Sequence, residues 1–227
     1  MKFGVVIFPG SNCDRDLIET ISAVSNGQVE ELWHKDTDLK GVDFVFLPGG
    51  FSYGDYLRSG AIAKLSPVMQ SIGEHAKAGG YVMGICNGFQ ILCESGLLPG
   101  ALLRNTNRQF ICKNVFLKPA NTQLKITNLL SAERAYKIPI AHGEGRYYAD
   151  ENTLKAMEAN QQIMFRYVDE NGLVNEAGNP NGSLHNIAGI CNAGKNVFGM
   201  MPHPERATSS VLGNIDGKKV FELLGLN

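Results

Sequence analysis

Short apolar runs, separated by glycine, proline and polar residues, recur along the whole chain. In the first half they have the length of buried strands and lie at Phe3 to Phe8, Val29 to Trp33, Val42 to Leu47 and Tyr81 to Ile85. Between the strands, apolar residues recur at helical spacing in two segments, at Leu17, Ile18, Ile21 and Val24 and at Val68, Ile72 and Ala76. The second segment is expected to begin at Ser66-Pro67, with the serine hydroxyl as the helix cap. Strands that alternate with helices predict a parallel sheet covered on both faces.

The second half of the chain contains more strand-like runs than helical ones. These runs are bounded by asparagine, glycine and proline and lie at Phe110 to Leu117, Lys137 to Ala141, Ile163 to Val168, Ile187 to Cys191 and Val197 to Met201. At 227 residues the chain has the length of one sizeable domain, which is expected to span residues 1–227. The expected fold is α/β: a single-domain three-layer sandwich around a mostly parallel central sheet with a mixed or antiparallel extension.

The segment from Tyr81 to Gly96, YVMGICNGFQILCESG, combines a strand, a sharp turn and a helix. An apolar run ends at Cys86, helical spacing follows, and Gly96 offers a left-handed stop. Gly84 and Gly88 flank the cysteine two residues away on either side. Hydrolases place a nucleophile between such glycines, because small neighbours let the backbone turn tightly and expose the central side chain. The pattern predicts that Cys86 is a nucleophile.

The predicted position of Cys86 favours its thiolate. A cysteine at a helix N-terminus lies near unpaired backbone N–H groups and the positive end of the helix dipole. The alternative is a buried core thiol, which is what most intracellular cysteines are. Cys191 repeats the local sequence Gly-Ile-Cys-Asn but is followed by a turn and another strand rather than a helix, so we expect it to be a sheet residue.

Two loops are expected to meet at one edge of the sheet. Ligands of parallel sheets gather beyond the carboxyl ends of the strands. Pro48 to Tyr56 follows one predicted strand, and Cys86 to Gly88 follows the next. Backbone N–H groups of Gly49-Gly50 can face a bound oxygen, with the N–H of Asn87 as a second donor, which is how an oxyanion hole is built. An ordinary turn is the alternative for the glycine pair.

A cysteine nucleophile needs a base, and the chain has five histidines. His203 follows a predicted strand and has Glu205 two residues on, so that the carboxylate can orient the imidazole. His142 is an equal competitor, since it also follows a strand and has Glu144 two residues on. The remaining histidines have weaker contexts and lie at His34, His75 and His185. Spacing alone leaves both candidates open.

The amino-acid composition limits which kinds of partner and which cellular compartment are expected. Lys and Arg number 21 and Asp and Glu 22, without runs of like charge, which argues against nucleic acid or a membrane as partner. The five cysteines form no CxxC motif, and their odd number fits a reducing compartment. No His and Cys cluster has zinc-ligand spacing, no G-x-x-x-x-G-K-[ST] loop occurs, and the N-terminus lacks the apolar length of a signal peptide. We expect a cytoplasmic protein without a metal of its own.

Several motifs together resemble the class I, or triad, glutamine amidotransferases. They are GICNGFQ, LPGGFSYGDYLRSGAIA, AHGEGRY, NPNGS and MPHPER, and they extend over nearly the whole chain. GICNGFQ and HPE are typical of the class, whereas GGFSYGDYLR and AHGEGRY resemble the free-standing glutaminase subunits of phosphoribosylformylglycinamidine synthases, which act in purine biosynthesis. The resemblance implies that Cys86 is the nucleophile, His203 the base and Glu205 the orienting carboxylate.

The resemblance also implies the reaction and the substrate contacts. Glutamine is hydrolysed to glutamate and ammonia, with Gln90 as a substrate contact. The oxyanion is held by N–H groups near Gly50 or Phe51 and at Asn87. A solvent-facing helix residue is the alternative for Gln90. The loop from Asn105 to Phe110 is expected to approach the substrate, with no single residue assigned.

The partners and cofactors follow from the resemblance alone. Ammonia passes through a channel to a separate, large ATP-dependent synthetase subunit, and a small third subunit belongs to the same complex. ATP and Mg are then used by the synthetase subunit, and this chain binds no cofactor. The segments His142 to Tyr147 and Ser52 to Arg58, rich in aromatic and charged residues, are candidate contact surfaces. The isolated chain is expected to be a poor glutaminase until it is docked.

Two other functions use the same sequence features. A free-standing cysteine hydrolase, such as a peptidase or a γ-glutamyl hydrolase, would use the same Cys-His-Glu set without a partner. A non-catalytic α/β binding module would retain the turn at Cys86 for packing alone. Ammonia release and dependence on a partner distinguish these alternatives from a glutaminase subunit.

Overall fold

A sheet of nine strands runs through the molecule, and two further strands form a separate pair. The computed structural model describes residues 1–25 and 28–222, so that 26–27 and 223–227 of the expected domain lie outside the described residues. The strands are β1 Phe3–Ile7, β2 Val29–Trp33, β3 Phe44–Leu47, β4 Tyr81–Ile85, β5 Ala101–Leu103, β6 Ile111–Pro119, β7 Tyr136–His142, β8 Arg146–Tyr148, β9 Ile163–Val168, β10 Ile187–Cys191 and β11 Val197–Met200. The helices are α1 Asp14–Ser25, α2 Pro67–Lys77, α3 Asn87–Glu94, α4 Glu151–Ala159 and α5 Lys218–Glu222. None of these helices has the length and apolar character needed to cross a lipid bilayer.

The strand order of the large sheet is β2-β1-β3-β4-β11-β10-β9-β6-β7. From β2 to β11 every neighbouring pair is parallel. From β11 to β7 every neighbouring pair is antiparallel. This confirms the predicted α/β fold, with a parallel central part and an antiparallel extension.

Burial shows how the sheet is covered. Successive side chains of a strand point to opposite faces, and β1, β3, β4 and β11 are buried at nearly every position. Both faces of the parallel part are therefore covered, as in a three-layer sandwich. In β7 buried residues alternate with less buried ones. That alternation is typical of an antiparallel strand with one face against the core.

Strand β11 lies in the parallel part of the sheet, next to β4. Its residues were expected in the antiparallel or mixed extension, because a local pattern does not indicate which strand will be the neighbour. Helix α4 and the β5–β8 pair were not predicted. The apolar signal of α4 is weak, since Leu154 and Met157 are its buried residues.

The start of α2 differs from the prediction in its cap. Pro67 occupies the first turn as expected, but the side chain of Ser66 makes no capping hydrogen bond. Its Oγ lies 3.0 Å from Oη of Tyr53, which in turn lies 2.6 Å from Nδ1 of His34. Ser66 therefore links the start of the helix to the loop after β3.

The carboxyl ends of β3, β4 and β11 lie side by side at one edge of the sheet. β3 leads into the loop Pro48 to Tyr56, β4 leads into Cys86, and β11 leads into residues 201–205. Because parallel neighbours end at the same edge, three segments that are distant in sequence meet there. The candidate site lies at this edge.

Candidate active site

Cys86 occupies a strained turn between β4 and α3. Its backbone angles are φ 49° and ψ −104°, a conformation that residues other than glycine rarely adopt. The flanking glycines make the turn possible. A Cβ on Gly84 would lie 2.5 Å from the backbone of Gly88, and a Cβ on Gly88 would lie 2.1 Å from the carbonyl oxygen of Leu47. The predicted order of strand, sharp turn and helix is confirmed.

The thiol of Cys86 is buried but lies among polar groups. Cys86 is 5% exposed, and its Sγ lies 3.8 Å from the carbonyl oxygen of Ala141. The next residue, Asn87, begins α3, and its N–H is among the helix amides that have no intrahelical acceptor. A thiolate at this position therefore lies close to backbone donors and to the positive end of the helix.

His203 and Glu205 form a buried pair in the segment after β11. Nδ1 of His203 lies 2.6 Å from Oε1 of Glu205, and the two side chains are 2% and 1% exposed. Burial alone would lower the pKa of His203, but the charges of Glu205 and Cys86 outweigh burial and raise that pKa well above its usual value. Nε2 of His203 has no hydrogen-bond partner among the described residues. The pair can therefore take a proton from a nearby thiol and return it to a leaving group.

His142, the competing base, has no carboxylate partner among the residues that the structure describes. Its Nδ1 lies 3.1 Å from Oδ1 of Asn105, whereas the carboxylate of Glu144 lies 3.5 Å from Nε of Arg104. Burial, followed by the charge of His203, lowers the pKa of His142 to about 4. An imidazole with that pKa is neutral at pH 7 and a weak proton acceptor. The geometry therefore favours His203 as the base.

The backbone N–H groups of Gly50 and Phe51 differ in their availability. The N–H of Phe51 donates to the carbonyl oxygen of Gly10 at 2.9 Å, so it is engaged in this structure, and its role in holding the oxyanion stays a prediction. Gly50 has a φ of 132°, and a Cβ there would lie 2.6 Å from the backbone nitrogen of Asn12. In residues 1–25 and 28–222 its N–H has no acceptor. The amides of Gly50 and Asn87 are therefore able to face a bound oxygen.

The side chains of Asn87 and Gln90 join α3 to two loops. Oδ1 of Asn87 accepts from the N–H of Ser52 at 3.0 Å, and its Nδ2 donates to Oε1 of Gln90 at 2.9 Å. Nε2 of Gln90 donates to the carbonyl oxygen of Glu144 at 2.6 Å. Gln90 is buried, so the alternative of a solvent-facing helix residue is wrong. Its amide lies between α3 and the loop after β7.

The carboxyl group of Asp55 lies close to these amides, and the charge of Glu144 acts on it. Oδ1 of Asp55 is 3.3 Å from Nδ2 of Asn87. Burial raises the pKa of Asp55, and the charge of Glu144 adds to that shift. Both acidic residues are partly exposed. Negative charge at the rim of a site suits a substrate that carries an ammonium group.

Cys13 and Arg206 lie beside His203 and Glu205, although no role was predicted for either of them. Sγ of Cys13 and the ligand atoms of His203 and Glu205 all lie within 4.8 Å of one another. Nη2 of Arg206 lies 3.2 Å from the same sulfur, and its Nε lies 3.0 Å from Oδ2 of Asp16. Such a donor set can ligate a metal, but the guanidinium opposes a cation here. Cys13 and Arg206 are separated by most of the chain, so only the fold reveals their contact.

The remaining cysteines are free thiols in different surroundings. Cys93 is half-buried, Cys112 is exposed and Cys191 is buried. Cys191 lies within β10, which confirms that it is a sheet residue. Burial raises the pKa of its thiol to about 11, so it is not an activated cysteine.

One protein-family model matches nearly the whole chain. The family model described as CobB/CobQ-like glutamine amidotransferase domain covers residues 1–222. Curated proteins with the name phosphoribosylformylglycinamidine synthase subunit PurQ are similar over almost their full length. The one from Gloeobacter violaceus is 54% identical, over 99% of this chain and 97% of its own. The one from Synechocystis is 55% identical, over 97% of this chain and 98% of its own.

Solved structures are similar as well. A chain of the structure described as PurLQS from Thermotoga maritima is 42% identical, with a TM-score of 0.87 over 98% of this chain and 96% of that chain. A glutamine amidotransferase from the same organism is 15% identical, with a TM-score of 0.56 over 90% and 76% of the two chains. This second likeness concerns the fold alone.

Proposed function

The chain belongs to the CobB/CobQ-like glutamine amidotransferase family, and on that premise we propose how its site acts on glutamine. The chain is the glutaminase subunit of a phosphoribosylformylglycinamidine synthase, a complex of purine biosynthesis. It hydrolyses glutamine to glutamate and ammonia, and the ammonia passes to the ATP-dependent synthetase subunit. The observation that carries the proposed mechanism is the buried pair of His203 and Glu205 beside Cys86 at its strained turn.

The first step forms a thioester. The thiolate of Cys86 attacks the side-chain amide carbon of glutamine, and the carbonyl oxygen becomes an oxyanion. The N–H groups of Gly50 and Asn87 hold this oxyanion, since their positions leave them available. The carbon–nitrogen bond then breaks while His203, oriented by Glu205, gives its proton to the departing nitrogen. Ammonia leaves, and the glutamyl group stays on sulfur.

The second step consumes water. His203 takes a proton from a water molecule, which attacks the thioester carbon through a second oxyanion. The carbon–sulfur bond breaks, glutamate leaves and the thiolate is restored. Because the pKa of His203 is raised, its imidazolium form can stand beside the thiolate between turnovers.

The amide of Gln90 and the rim carboxylates are the proposed contacts for the amino-acid end of glutamine. Gln90 is held between α3 and the carbonyl oxygen of Glu144, and Asp55 lies near the amide of Asn87. An ammonium group is a donor only, so carbonyl and carboxylate oxygens are its natural partners. We assign the amide oxygen of Gln90 and the carboxylate of Asp55 to this role.

The partners are a large synthetase subunit and a small third subunit of the same complex. We propose that ATP and Mg are used by the synthetase subunit and that this chain binds no cofactor. We also propose a cytoplasmic location, which the free thiols of the chain support.

The test compares glutamate and ammonia release by the chain alone and in complex with its synthetase and small subunits, nucleotide and acceptor. Release is expected to rise strongly on complex formation and to vanish with Cys86→Ala, while synthesis from added ammonium continues. Cys112→Ala, which removes an exposed thiol, is the matched control and leaves both activities unchanged. Loss of the ammonium reaction in Cys86→Ala would contradict this division of labour. Equal turnover by the free chain would favour a free-standing hydrolase.

A further inference from the structure

The side-chain amide of Asn105, in the loop after β5, is completely hydrogen-bonded inside the protein. The residue is 1% exposed. Its Nδ2 donates to the carbonyl oxygens of His142 at 2.9 Å and of Gln109 at 2.8 Å. Its Oδ1 accepts from the N–H of Gly145 at 3.1 Å and lies 3.1 Å from Nδ1 of His142. A primary amide has two donor hydrogens and two acceptor lone pairs, so all of its bonding capacity is used.

These contacts determine the tautomer of His142. Carbonyl oxygens only accept, so the atom of Asn105 that faces two of them must be the nitrogen. The amide oxygen then faces Nδ1 of His142, and Nδ1 must carry the ring proton. Nε2 is left with a free lone pair. It is buried, and in the described part of the chain it has no hydrogen-bond partner.

The residues next to His142 in sequence contact the nucleophile and its helix. The carbonyl oxygen of Ala141 faces Sγ of Cys86, and the carbonyl oxygen of Glu144 accepts from Gln90. The loop is also packed against the imidazole, because a Cβ on Gly145 would lie 2.2 Å from the ring of His142. A shift of this loop would therefore displace groups on two sides of Cys86.

We propose that Asn105 is a positioning residue of the glutaminase site. It locks His142 as the neutral tautomer with the proton on Nδ1, and it holds residues 141–145 against Cys86 and Gln90. The free Nε2 of His142 then serves as an acceptor, inside the site, for an N–H of the substrate amide or of ammonia. This inference rests on the proposed function, because it concerns the same site.

The titratable groups around His142 explain why its neutral form matters. His203, in the segment after β11, opposes a positive charge on His142. Cys86, at the end of β4, forms its charge pair with His203. Glu144, on the same loop as His142, pairs with Arg104 instead. A second imidazolium beside His203 would therefore weaken the pair of thiolate and imidazolium that the reaction uses.

The tautomer can be measured without any partner subunit. The full chain, labelled with ¹⁵N in its histidine rings, is examined by long-range ¹H–¹⁵N correlation at pH 7, with His142→Gln to assign the signal. We expect a neutral ring with the proton on Nδ1. A proton on Nε2, or an imidazolium at pH 7, would overturn the proposal. This result is independent of whether the chain hydrolyses glutamine.

The kinetic test uses Asn105→Asp in the complete complex with the synthetase and small subunits. Aspartate keeps the size, but it cannot donate to the two carbonyl oxygens, and its charge favours the imidazolium of His142. Glutamine-dependent kcat/KM is expected to fall by about 10-fold or more at pH 7, as the lost hydrogen bonds predict. The acid limb of the pH profile is expected to move to higher pH, so that part of the activity returns in alkaline solution.

Two further variants separate positioning from general damage. Asn105→Ala removes the hydrogen bonds without adding charge, so activity falls while the acid limb stays in place. Asn152→Asp adds the same charge at an exposed position in the first turn of α4 and leaves rate and profile unchanged. An unshifted limb in Asn105→Asp would overturn the proposal. A wild-type complex without glutaminase activity would instead refute the proposed function.

Discussion

The backbone N–H of Cys86 donates to the carbonyl oxygen of Met200 across 2.8 Å. Cys86 directly follows β4 and Met200 ends β11, and these parallel strands are paired in register. His203 comes three residues after Met200, and its own N–H donates to the carbonyl oxygen of Pro139 in β7 at 2.8 Å. Main-chain hydrogen bonds to β11 and β7 thus hold the backbone of Cys86, the proposed nucleophile, and of His203, the proposed base.

Glu205→Gln is expected to lower the glutamine-dependent kcat by about 10²-fold or more. Glutamine has the size of glutamate but lacks the charge that raises the pKa of His203. The pKa of His203 falls, and the imidazolium then stabilises the thiolate of Cys86 less well. The pKa of His203, followed through the ¹⁵N signals of its ring against pH, should be lower in the variant than in the wild type.

The control for this variant is Glu151→Gln. Glu151 is an exposed residue of α4 that pairs with Lys155 on the same helix, so its charge is screened by solvent. Both the turnover and the pKa of His203 are expected to stay as in the wild type. An unchanged pKa of His203 in Glu205→Gln would show that the carboxylate does not set the charge of His203.

Gly88→Ala is expected to destabilise the protein by about 2 kcal/mol or more, as overpacking does elsewhere. The added Cβ would lie 2.1 Å from the carbonyl oxygen of Leu47, and backbone atoms of a buried strand cannot move aside cheaply. Gly73→Ala is the matched change in α2, where a Cβ meets nothing within 4 Å. It should stabilise the protein by roughly 0.5 to 1 kcal/mol through helix propensity. Urea unfolding of both variants checks the opposite signs.

The positions of strands could be predicted where an apolar run is flanked on both sides by turn-forming residues. β2, β9 and β10 begin and end at the predicted residues. What a local pattern cannot give is the neighbour of a strand. β11 was expected in the extension, but it pairs with β4, and that pairing is what brings the segment of His203 to Cys86. Sheet order is a property of the whole chain.

The strained turn at Cys86, the proposed nucleophile, could be predicted from its flanking glycines, because such a turn requires small neighbours locally. The base could not be chosen by spacing, since His142 and His203 each follow a strand and precede a glutamate by two residues. The two histidines differ in their tertiary contacts. The carboxylate of Glu205 contacts Nδ1 of His203, whereas the carboxylate of Glu144 pairs with Arg104, on the loop after β5. The resemblance to a known family made the choice that the pattern left open.

Cys86→Gly is expected to be more stable than Cys86→Ala by about 1 kcal/mol, because residue 86 has a positive φ that strains every side chain with a Cβ. The angles are φ 49° and ψ −104°. In a regular α-helix the Ala variant is the more stable one. Gln70→Gly, at an exposed position of α2, should therefore be about 1 kcal/mol less stable than Gln70→Ala. Urea unfolding of the four variants tests this. The same order at both positions would mean that the turn stores no strain.

The stability of the protein should fall in acid partly because of His142. The residue is buried, and its pKa is lowered to about 4, whereas in the unfolded chain the pKa is about 6.5. Between these values the unfolded chain binds a proton that the native protein does not bind, so stability decreases as the pH drops. Glutamine does not titrate. His142→Gln should therefore lose less stability between pH 7 and pH 4.5 than the wild type, by roughly 2 to 3 kcal/mol.

Other titrating groups do not produce this difference in stability between the wild type and His142→Gln. The pKa of His203 is raised, so its contribution levels off once the unfolded imidazole is protonated, below about pH 5.5, and above that pH it acts on both proteins alike. Glu94 and Glu158 have lowered pKa values and weaken the wild type and the variant alike, as does His34, whose pKa is also lowered. The difference between the two proteins, measured by urea unfolding at each pH, isolates His142. Equal losses would mean that the native imidazole titrates normally, and the neutral acceptor assigned to the site would then be absent at low pH.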